Sequence, residues 1–352
     1  MAVKFNDIFP PPQQYSAPEN SWNLLHGGCA RYSHVSFAVN VGQLFAYISS
    51  SFIEGATMGS AAGTSVELLV GEYKATLYSV GAAIGSLSFQ GRDLVLSDSG
   101  EKPSSAFLGK TLIPWPNRIT QGKYSYGGHD YEAPINEHST GAALHGLACW
   151  IDWEIADQSA DSVTFSTTIA ASPAYPFTLN ASVTYTLDAR FGLETTIRAR
   201  NVGAETAPYG ASSHPYLTCN NRPIDECELS VPAGKVLEVD ENLAPVQKIA
   251  VDHAGLDYRV ARTIAGQQID HAFTDLPDGK WFVDLHDPQT DQTVRMTSNE
   301  PWVQIYSGDN TGRIGVAVEP MTCPPDAFNS KEDVIELEPG KETVFHFQIL
   351  EV

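Results

Sequence analysis

The chain has 352 residues, of which 42% are hydrophobic and 18% charged, and this composition is sufficient for a large apolar core. At roughly 150 residues per domain the length suggests two domains, although an all-β chain of this size is equally compatible with one. The 42 acidic residues outnumber the 21 basic ones, which gives a net charge of −21. Because such a surface repels phosphate backbones and anionic headgroups, we expect neither nucleic acid nor a membrane as a partner.

The cysteines and the N-terminus indicate the compartment. The five cysteines are odd in number and form no CxxC motif, so neither a disulfide framework nor a zinc knuckle is predicted. No basic region followed by an apolar core opens the chain, so no signal peptide is predicted. The apolar stretch at 35–53 is interrupted by polar residues and is not predicted to span a membrane. Reduced thiols and a cytoplasmic location are the simplest interpretation.

Residues 1–64 differ in composition from the rest of the chain. They are rich in Pro, Ser, Gly and Ala, and they show neither a period of two nor one of 3.6. This pattern predicts a poorly ordered N-terminal extension, followed by one domain at residues 65–352. A natural start at Met58 is the alternative interpretation of this segment.

From Val66 onward the pattern is that of β-strands. Apolar and small polar residues alternate in the runs "SVTFSTTIA", "TLNASVTYTL" and "LETTIRAR", which predicts an antiparallel meander. Further strands are predicted at 281–285, 293–297, 303–306, 314–318 and 343–350. Many strands separated by Gly- and Pro-rich turns predict an all-β fold, either a large antiparallel β-sandwich or a barrel.

The first segment with candidate binding residues is "LIPWPNRITQGKYSYGG". Pro114 and Pro116 restrict the backbone in front of Asn117 and Arg118. Arg118 carries a rigid fork of N–H donors, and Asn117 both donates and accepts, which suits the vicinal hydroxyls of a sugar. An Arg that holds a loop by bonding its carbonyls is the alternative, and it is the stronger interpretation of this segment alone.

Two histidines and an aspartate lie in separate short motifs. His145 stands in "ALHGL", where a core histidine is the alternative to a functional one. His214 precedes Pro215 in "SSHPYL", which favours an extended backbone and places the side chain at a strand end; a turn histidine is the alternative. Asp270 stands in "QQIDHAF", which is also compatible with an ordinary exposed turn.

Glu319 follows the alternating apolar run "IGVAV". At the end of such a strand we expect it to be partly desolvated, with a pKa raised towards that of a general base; a strand-end Glu in solvent is the alternative. Two imidazoles and a carboxylate provide an acid and a base for moving a proton between two oxygens of one small substrate. The sequence contains no metal-binding motif, GxGxxG or P-loop, so neither a metal nor a nucleotide cofactor is predicted.

Taken in order, these segments resemble the aldose 1-epimerase, or galactose mutarotase, family over most of the chain from Val66. The shared motifs are "PWPNRITQGKYSYGG", "LHG", "HPYL", "DHAF", "VQIYSG" and "VEPMTCPPDAFN". The wording of "IPWPNRI" and "LHGLACW" is closer to bacterial members than to the galactose enzymes. The resemblance implies a galactose mutarotase-like supersandwich, no cofactor, and a monomer or homodimer whose partner is a small sugar.

The resemblance also implies residue roles and an activity. It makes Glu319 the base at the anomeric hydroxyl and His214 the acid at the ring oxygen. It assigns the binding of sugar hydroxyls to Arg118, His145 and Asp270, with help from Asn117 and Gln304. The implied activity is an isomerase that interconverts the α and β anomers of a neutral aldohexose.

Two alternative functions fit the same resemblance. A hexose-6-phosphate 1-epimerase would need extra basic residues at the pocket, and Arg222, Arg259 and Arg262 are available in the sequence. A non-catalytic sugar-binding or regulatory protein is the other alternative. The presence of both His214 and Glu319 favours an enzyme over it.

Overall fold

A computed structural model describes residues 60–104 and 106–352, in which nearly all regular structure is β. The first thirteen strands are β1 (Ser65–Val70), β2 (Tyr73–Tyr78), β3 (Ala83–Phe89), β4 (Arg92–Asp93), β5 (Thr111–Leu112), β6 (Arg118–Ile119), β7 (Lys123–Tyr126), β8 (His129–Glu132), β9 (Ala143–Leu144), β10 (Glu154–Gln158), β11 (Ser162–Ile169), β12 (Leu179–Asp188) and β13 (Gly192–Asn201). The others are β14 (Ala207–Tyr209), β15 (Ser212–Ser213), β16 (Tyr216–Leu217), β17 (Glu228–Ser230), β18 (Lys235–Val239), β19 (Pro245–Ala250), β20 (Arg262–Thr263), β21 (Asp270–Thr274), β22 (Trp281–Asp287), β23 (Gln292–Ser298), β24 (Trp302–Tyr306), β25 (Val316–Met321), β26 (Ile335–Leu337) and β27 (Glu342–Glu351).

Helical structure is confined to short turns. The helical elements of the described residues are one α-helix, α1 (Ala327–Ser330), and three 3₁₀ turns at Thr120–Gly122, Ile224–Glu226 and Asp309–Thr311. None of them approaches the length and apolarity that a bilayer-spanning helix requires.

Two large antiparallel sheets form most of the fold. The first has nine strands in the order β10-β11-β12-β13-β27-β23-β22-β17-β20. The second has eight strands in the order β19-β18-β21-β24-β25-β15-β5, with β16 also paired to β25. A four-stranded sheet, β1-β2-β3-β4, and the pairs β14-β26, β6-β9 and β7-β8 complete the structure. The predicted all-β, antiparallel architecture is confirmed.

The meander predicted from the sequence lies in the nine-stranded sheet as β11, β12 and β13. Buried and less buried residues alternate over all ten positions of β12, because successive side chains of a strand point to opposite faces. Val183 and Tyr185 of β12 lie opposite Ile197 and Thr195 of β13, and Phe347 of β27 follows opposite Thr195. Each fully buried large apolar side chain stabilises the fold by about 1.5–3 kcal/mol.

The eight-stranded sheet has two chemically different faces. Val303 and Ile305 of β24 and Val318 of β25 belong to the main apolar cluster, which also contains residues of the nine-stranded sheet. Since side chains alternate along a strand, Gln304 and Glu319 lie on the opposite face. The two sheets therefore share a core on one side, and the predicted site residues occupy the other.

Five residues of the predicted N-terminal extension belong to the described part of the chain. Ala62 is buried and packs with Tyr78. Its N–H donates to the carbonyl of Gly100 at 3.2 Å, and its carbonyl accepts from the N–H of Val80 at 3.1 Å. The end of the predicted extension thus contacts the four-stranded sheet. Residues 1–59 lie outside the described residues, and for them the expected disorder stays a prediction.

We predict that a chain beginning at Met58 melts at the temperature of the full chain, whereas one beginning at Ser65 melts at least about 4 °C lower. The second truncation removes the buried Ala62 with its two hydrogen bonds and the two that join Thr64 to Ser79, each worth about 1 kcal/mol. Thermal melts followed by circular dichroism compare the three chains. A melting temperature lowered by several degrees in the chain from Met58 would instead support the alternative that the stretch at 35–53, outside the described residues, adds an edge strand.

Candidate active site

The register of three neighbouring strands places the acidic and amide residues on one face. Gln304 of β24 lies directly opposite Glu319 of β25, and Tyr306 lies opposite Asp270 of β21. The amide Nε2 of Gln304 donates to Oδ1 of Asp270 at 2.6 Å. Glu319 lies within β25, which continues to Met321, so the expectation of a strand end was wrong and the side chain is almost completely buried. Asp270 likewise opens a strand and does not belong to an exposed turn.

His214 is held between two short strands that both pair with β25. It follows β15 and precedes β16, and Pro215 accepts from the N–H of Val318 through its carbonyl at 3.1 Å. The backbone of His214 also donates to Lys110 at 3.0 Å and accepts from Gly109 at 2.9 Å. This anchoring places His214 Nε2 at 3.4 Å from Oε1 of Glu319.

His145 reaches the same place from a left-handed backbone. Its φ is 65°, a region in which histidine is several-fold enriched, and its N–H donates to the carbonyl of Asn117 at 2.8 Å. The next residue, Gly146, is also left-handed, and a Cβ there would lie 2.2 Å from the carbonyl oxygen of Ile113. Only glycine fits this close approach, which explains the "HG" pair of the motif. The imidazole of His145 stands almost perpendicular to that of His214, with ring centroids 5.0 Å apart.

Arg118 is buried and already engaged by protein acceptors. Its Nε and Nη2 donate to the two carboxylate oxygens of Glu137, at 2.6 and 2.9 Å. Nη2 also donates to Oδ2 of Asp270 at 3.3 Å, and Nη1 donates to Oδ1 of Asn117 at 3.3 Å. The family resemblance assigned this fork to sugar hydroxyls, whereas the segment alone favoured an Arg that holds a loop. In the structure most of its donors hold other residues of the site in place.

These side chains surround one cavity of about 340 Å³. Six of the seven predicted site residues line it, namely Asn117, Arg118, His145, His214, Asp270 and Glu319. The seventh, Gln304, stands behind Asp270 and bonds to it. The sequence interpretation missed several other lining residues, among them Phe107, Glu137, Thr140, Tyr216 and Tyr306. Glu137 is an acidic residue in a polar loop, which gives no sequence signal of its own. Tyr306 lies in the shared motif "VQIYSG", which predicts a strand but does not single out the tyrosine.

The three arginines that the sequence offers for a phosphate site do not line the cavity. Arg222 pairs with Glu226 and Asp287. Arg259 pairs with Asp257, and Arg262 donates to a backbone carbonyl. Among the described residues that line the cavity, Arg118 is the only lysine or arginine.

Burial sets the protonation of the two imidazoles and the carboxyl. It raises the pKa of Glu319 well above its usual value; the charge of Asp270 adds to the rise and Arg118 opposes it. Burial also lowers the pKa of His214 to about 4, although a backbone hydrogen bond partly opposes this. The pKa of His145 is lowered by burial, then by His214 and Arg118. At neutral pH and without a ligand, both imidazoles are therefore neutral, and burial favours the protonated form of Glu319 over the carboxylate.

Among the described residues, the two imidazoles and the carboxyl are also the group whose ligand types match those of a metal site. The candidate ligand atoms of His145, His214 and Glu319 lie within 4.8 Å of one another. In a tetrahedral zinc site with bonds of about 2.0–2.1 Å, ligand atoms lie about 3.3 Å apart. His214 Nε2 and Glu319 Oε1, at 3.4 Å, already have this spacing, so the three side chains are a candidate set of metal ligands as well as an acid–base pair with a neighbouring imidazole.

An aromatic side chain covers the two imidazoles. Phe107 packs edge-on against His145, with centroids 4.7 Å apart, and lies nearly parallel to His214 at 6.3 Å. Its φ is 54°, a conformation that costs a residue such as phenylalanine about 1–3 kcal/mol and is found mainly at functional sites. The ring thus contributes to the desolvation of both histidines.

The fold and the site together define a sugar-epimerase type of β-sandwich, and comparisons with known proteins give the family. The aldose 1-epimerase family model matches residues 65–350, and the chain belongs to that family. The resemblance seen in the sequence is thereby confirmed.

Individual relatives agree with this assignment. The chain is 45% identical over 287 residues to the uncharacterized protein YihR of Escherichia coli, an alignment that covers 82% of this chain and 93% of YihR. It is 26% identical over 337 residues to the galactose mutarotase of Rattus norvegicus, covering 83% of this chain and 96% of the rat protein. The crystal structure of a GalM/aldose epimerase homologue from C. elegans superposes with a TM-score of 0.75 at 21% identity, covering 82% of this chain and 98% of the other. The predicted galactose mutarotase-like fold is confirmed.

We predict that the imidazole of His214 titrates near pH 4 and that Phe107→Ala moves its pKa towards the 6.5 of an exposed imidazole. Removing the ring admits water, which stabilises the charged form that burial disfavours. Proton NMR of the imidazole Cε1–H over pH 3–8 measures this, with His214→Asn to assign the signal. Phe282→Ala, at an exposed ring on β22, is the matched control and should leave the titration unchanged. A pKa near 6.5 in the unaltered protein would contradict this account.

Proposed function

We propose that the protein is a cofactor-independent aldose 1-epimerase that interconverts the α and β anomers of a neutral aldohexose. The observation that carries the proposal is the pair His214 and Glu319, with nitrogen and oxygen 3.4 Å apart at a cavity of about 340 Å³. Cavities of at least about 300 Å³ are typical of small-molecule sites. Membership of the family supports the same activity.

The pair suits the chemistry because mutarotation needs one proton removed and one delivered. A base takes the proton of the anomeric O1 while an acid protonates the ring oxygen O5, and the C1–O5 bond breaks. The open-chain aldehyde turns about C1–C2, and the ring closes on its other face as the two proton transfers run in reverse. Each positioned acid or base contributes about 100- to 10,000-fold, which suffices for a reaction that proceeds without a catalyst.

The position of the proton shared by the pair decides which residue acts as the acid and which as the base. We propose Glu319 as the base at O1 and His214 as the acid at O5, which requires the proton to reside on His214. In the sugar-free site burial opposes this ionised pair, because it favours the neutral form of both groups. A bound sugar that places O1–H at Glu319 and O5 at His214 favours the transfer by donating to the carboxylate and accepting from the imidazolium.

Unpaired polar atoms at and behind the cavity wall support a polyhydroxylated ligand. His145 Nδ1, His214 Nδ1 and Glu319 Oε2 belong to residues that line the cavity, and Gln304 Oε1 stands behind them. All four atoms are buried and have no hydrogen-bond partner among the described residues. Buried polar atoms of native proteins are nearly always paired, so their clustering here indicates that ligand groups pair with some of them. Sugar hydroxyls both donate and accept, and they satisfy either kind of atom.

The charges of the cavity wall favour a neutral sugar over a phosphorylated one. Arg118 provides one positive charge, but Glu137 and Asp270 bond to it and supply two negative ones. A phosphate dianion placed here would meet net negative charge, with no other Lys or Arg among the described lining residues. The hexose-6-phosphate alternative is therefore disfavoured.

We predict that the purified protein accelerates the mutarotation of fresh α-D-glucose or α-D-galactose. It should not accelerate the mutarotation of glucose 6-phosphate above its spontaneous rate, and glucose 6-phosphate should not inhibit the reaction of the neutral sugars. The first result follows from the acid–base pair and the second from the charge of the wall. Stopped polarimetry measures the rates above the spontaneous background, with chelator present in a parallel series to report any dependence on a metal. Acceleration only with the phosphate would favour the alternative epimerase, and sugar binding without any acceleration would favour a non-catalytic protein.

We predict that Glu319→Gln and His214→Asn each lower kcat by about 100-fold or more while the protein stays folded. Both proton sites act in every turnover, so the loss of either blocks the cycle. Polarimetry gives the rates, and circular dichroism reports folding.

Matched controls come from groups of the same kind outside the cavity. Glu300 is a carboxyl whose pKa burial raises to about 7, and His286 pairs with Thr293 in the nine-stranded sheet. Glu300→Gln and His286→Asn should keep the full rate. Near-normal turnover in Glu319→Gln or His214→Asn would show that the proton transfers occur elsewhere.

A further inference from the structure

The wall of the cavity contains a carboxylate to which the proton chemistry gives no role. Glu137 lines the cavity, and about 20% of its side chain is exposed there. Arg118 holds the carboxylate by two charge-assisted hydrogen bonds, and the hydroxyl of Thr140 donates a third to Oε2. Burial alone would raise the pKa of Glu137, but these bonds and the charge of Arg118 lower it below the usual value. Glu137 is therefore ionised at neutral pH and acts only as an acceptor.

The count of donors on Arg118 shows what remains for a ligand. A guanidinium has five N–H groups, and four are used: one at Nε and one at Nη2 by Glu137, another at Nη2 by Asp270, and one at Nη1 by Asn117. One N–H at Nη1 remains. Arg118 thus has little capacity to bind a sugar by itself, and the groups it positions have more.

The carboxylate oxygens of Glu137 and Asp270, unlike the donors of Arg118, still have free capacity for hydrogen bonds. Oε1 of Glu137 accepts one hydrogen bond, from Arg118, although a carboxylate oxygen accepts about two. Each oxygen of Asp270 likewise accepts one, from Gln304 and from Arg118. Both carboxylates line the cavity. Two anionic acceptors with free capacity therefore lie on either side of one guanidinium.

The loop that carries Glu137 is fixed to the histidine motif. Glu137 and Ala142 exchange backbone hydrogen bonds, each at 3.2 Å. The side chain of Asn136 donates to the carbonyl of Leu144 at 3.0 Å and accepts from its N–H at 2.7 Å. Leu144 is followed directly by His145, so the position of Glu137 is coupled to that of the imidazole. A rigid loop of this kind suits the recognition of a ligand better than a solvated rim does.

We propose that Glu137 is a substrate-binding residue that accepts a hydrogen bond from one sugar hydroxyl, and that Glu137 and Asp270 together recognise two different hydroxyls across Arg118. This inference rests on the proposed function, because it concerns the same sugar in the same cavity. The competing interpretation is that Glu137 only anchors Arg118. The two differ in one respect: a residue that binds a hydroxyl is sensitive to the removal of that hydroxyl from the sugar.

A double-mutant cycle between protein and sugar tests the proposal. Glu137→Gln, Glu137→Asp and Asp270→Asn are each measured with glucose and with its 2-, 3-, 4- and 6-deoxy derivatives, by polarimetry for kcat/KM and by calorimetry for the dissociation constant. Glu137→Asp keeps the charge beside Arg118 and shortens the side chain, so it separates contact with the sugar from support of the guanidinium. Glu300→Gln is the control for a lost carboxyl outside the cavity, and circular dichroism checks the fold of every variant.

We expect removal of one particular hydroxyl to lower kcat/KM and the affinity of the unaltered protein by about 10- to 100-fold. The same removal should lower those of both Glu137 variants hardly at all, since a hydrogen bond that the variant has already lost cannot be lost again. Asp270→Asn should show the same pattern at a different position. Additive losses at all four positions in both Glu137 variants would overturn the inference while leaving the proposed function intact. Absence of turnover with every sugar would overturn the proposed function, and the calorimetric cycle would still decide the role of Glu137; absence of any sugar binding would overturn both.

Discussion

The pairing register of β24 with β25 is the constraint on which the site depends. It sets Gln304 opposite Glu319 on the cavity side and sends Val303, Ile305 and Val318 into the main core. A slip of one residue would exchange the two faces, bringing the polar side chains into the core and the apolar ones into the cavity. Burying an unpaired carboxyl and amide there would cost several kcal/mol, so the apolar face fixes where the acid–base chemistry stands.

The three charges at the cavity depend on one another, because each is stabilised by a partner of opposite charge. Arg118 lies between Glu137 and Asp270, and breaking a buried pair by removing one partner typically costs about 3–5 kcal/mol. This arrangement resolves the two interpretations that the sequence left open for Arg118. The residue does hold a loop in place, but through side-chain acceptors and not through the backbone carbonyls that were expected. The groups it holds are the carboxylates that face the cavity. Because those carboxylates are fixed before a ligand arrives, little further ordering is needed when it binds.

The long strands, and also β24 and β25 of the site, were predictable from the sequence, whereas the two-residue strands that complete the site were not. Alternation over eight to ten residues revealed β11, β12, β13 and β27, since a period of two needs several repeats to be recognised. β6 and β15, which contain Arg118 and lead to His214, have two residues each and show no period at all.

The candidate residues at those short strands were found through motifs of a known family, not through periodicity. Glu137 was missed because a glutamate in a polar loop looks like a solvated one. The contact between Arg118 and Asp270 spans 152 positions of the chain, and local pattern gives no information on such a pairing. Phe107 was missed for a related reason, since a left-handed backbone at a phenylalanine has no compositional signature.

Left-handed residues recur around the cavity, and they link the stability of the fold to the geometry of the site. Phe107, Asn117 and His145 have φ values of 54°, 51° and 65°. Asparagine and histidine tolerate this region, but phenylalanine does not, and backbone bonds such as that from Lys110 N–H to the carbonyl of Phe107 at 3.0 Å hold it there. A glycine at 107 would relieve the backbone strain and at the same time remove the ring that desolvates the imidazoles. Local stability and preorganisation therefore act against each other at this position, and the large core shared by the two sheets is what allows the strained conformation to persist.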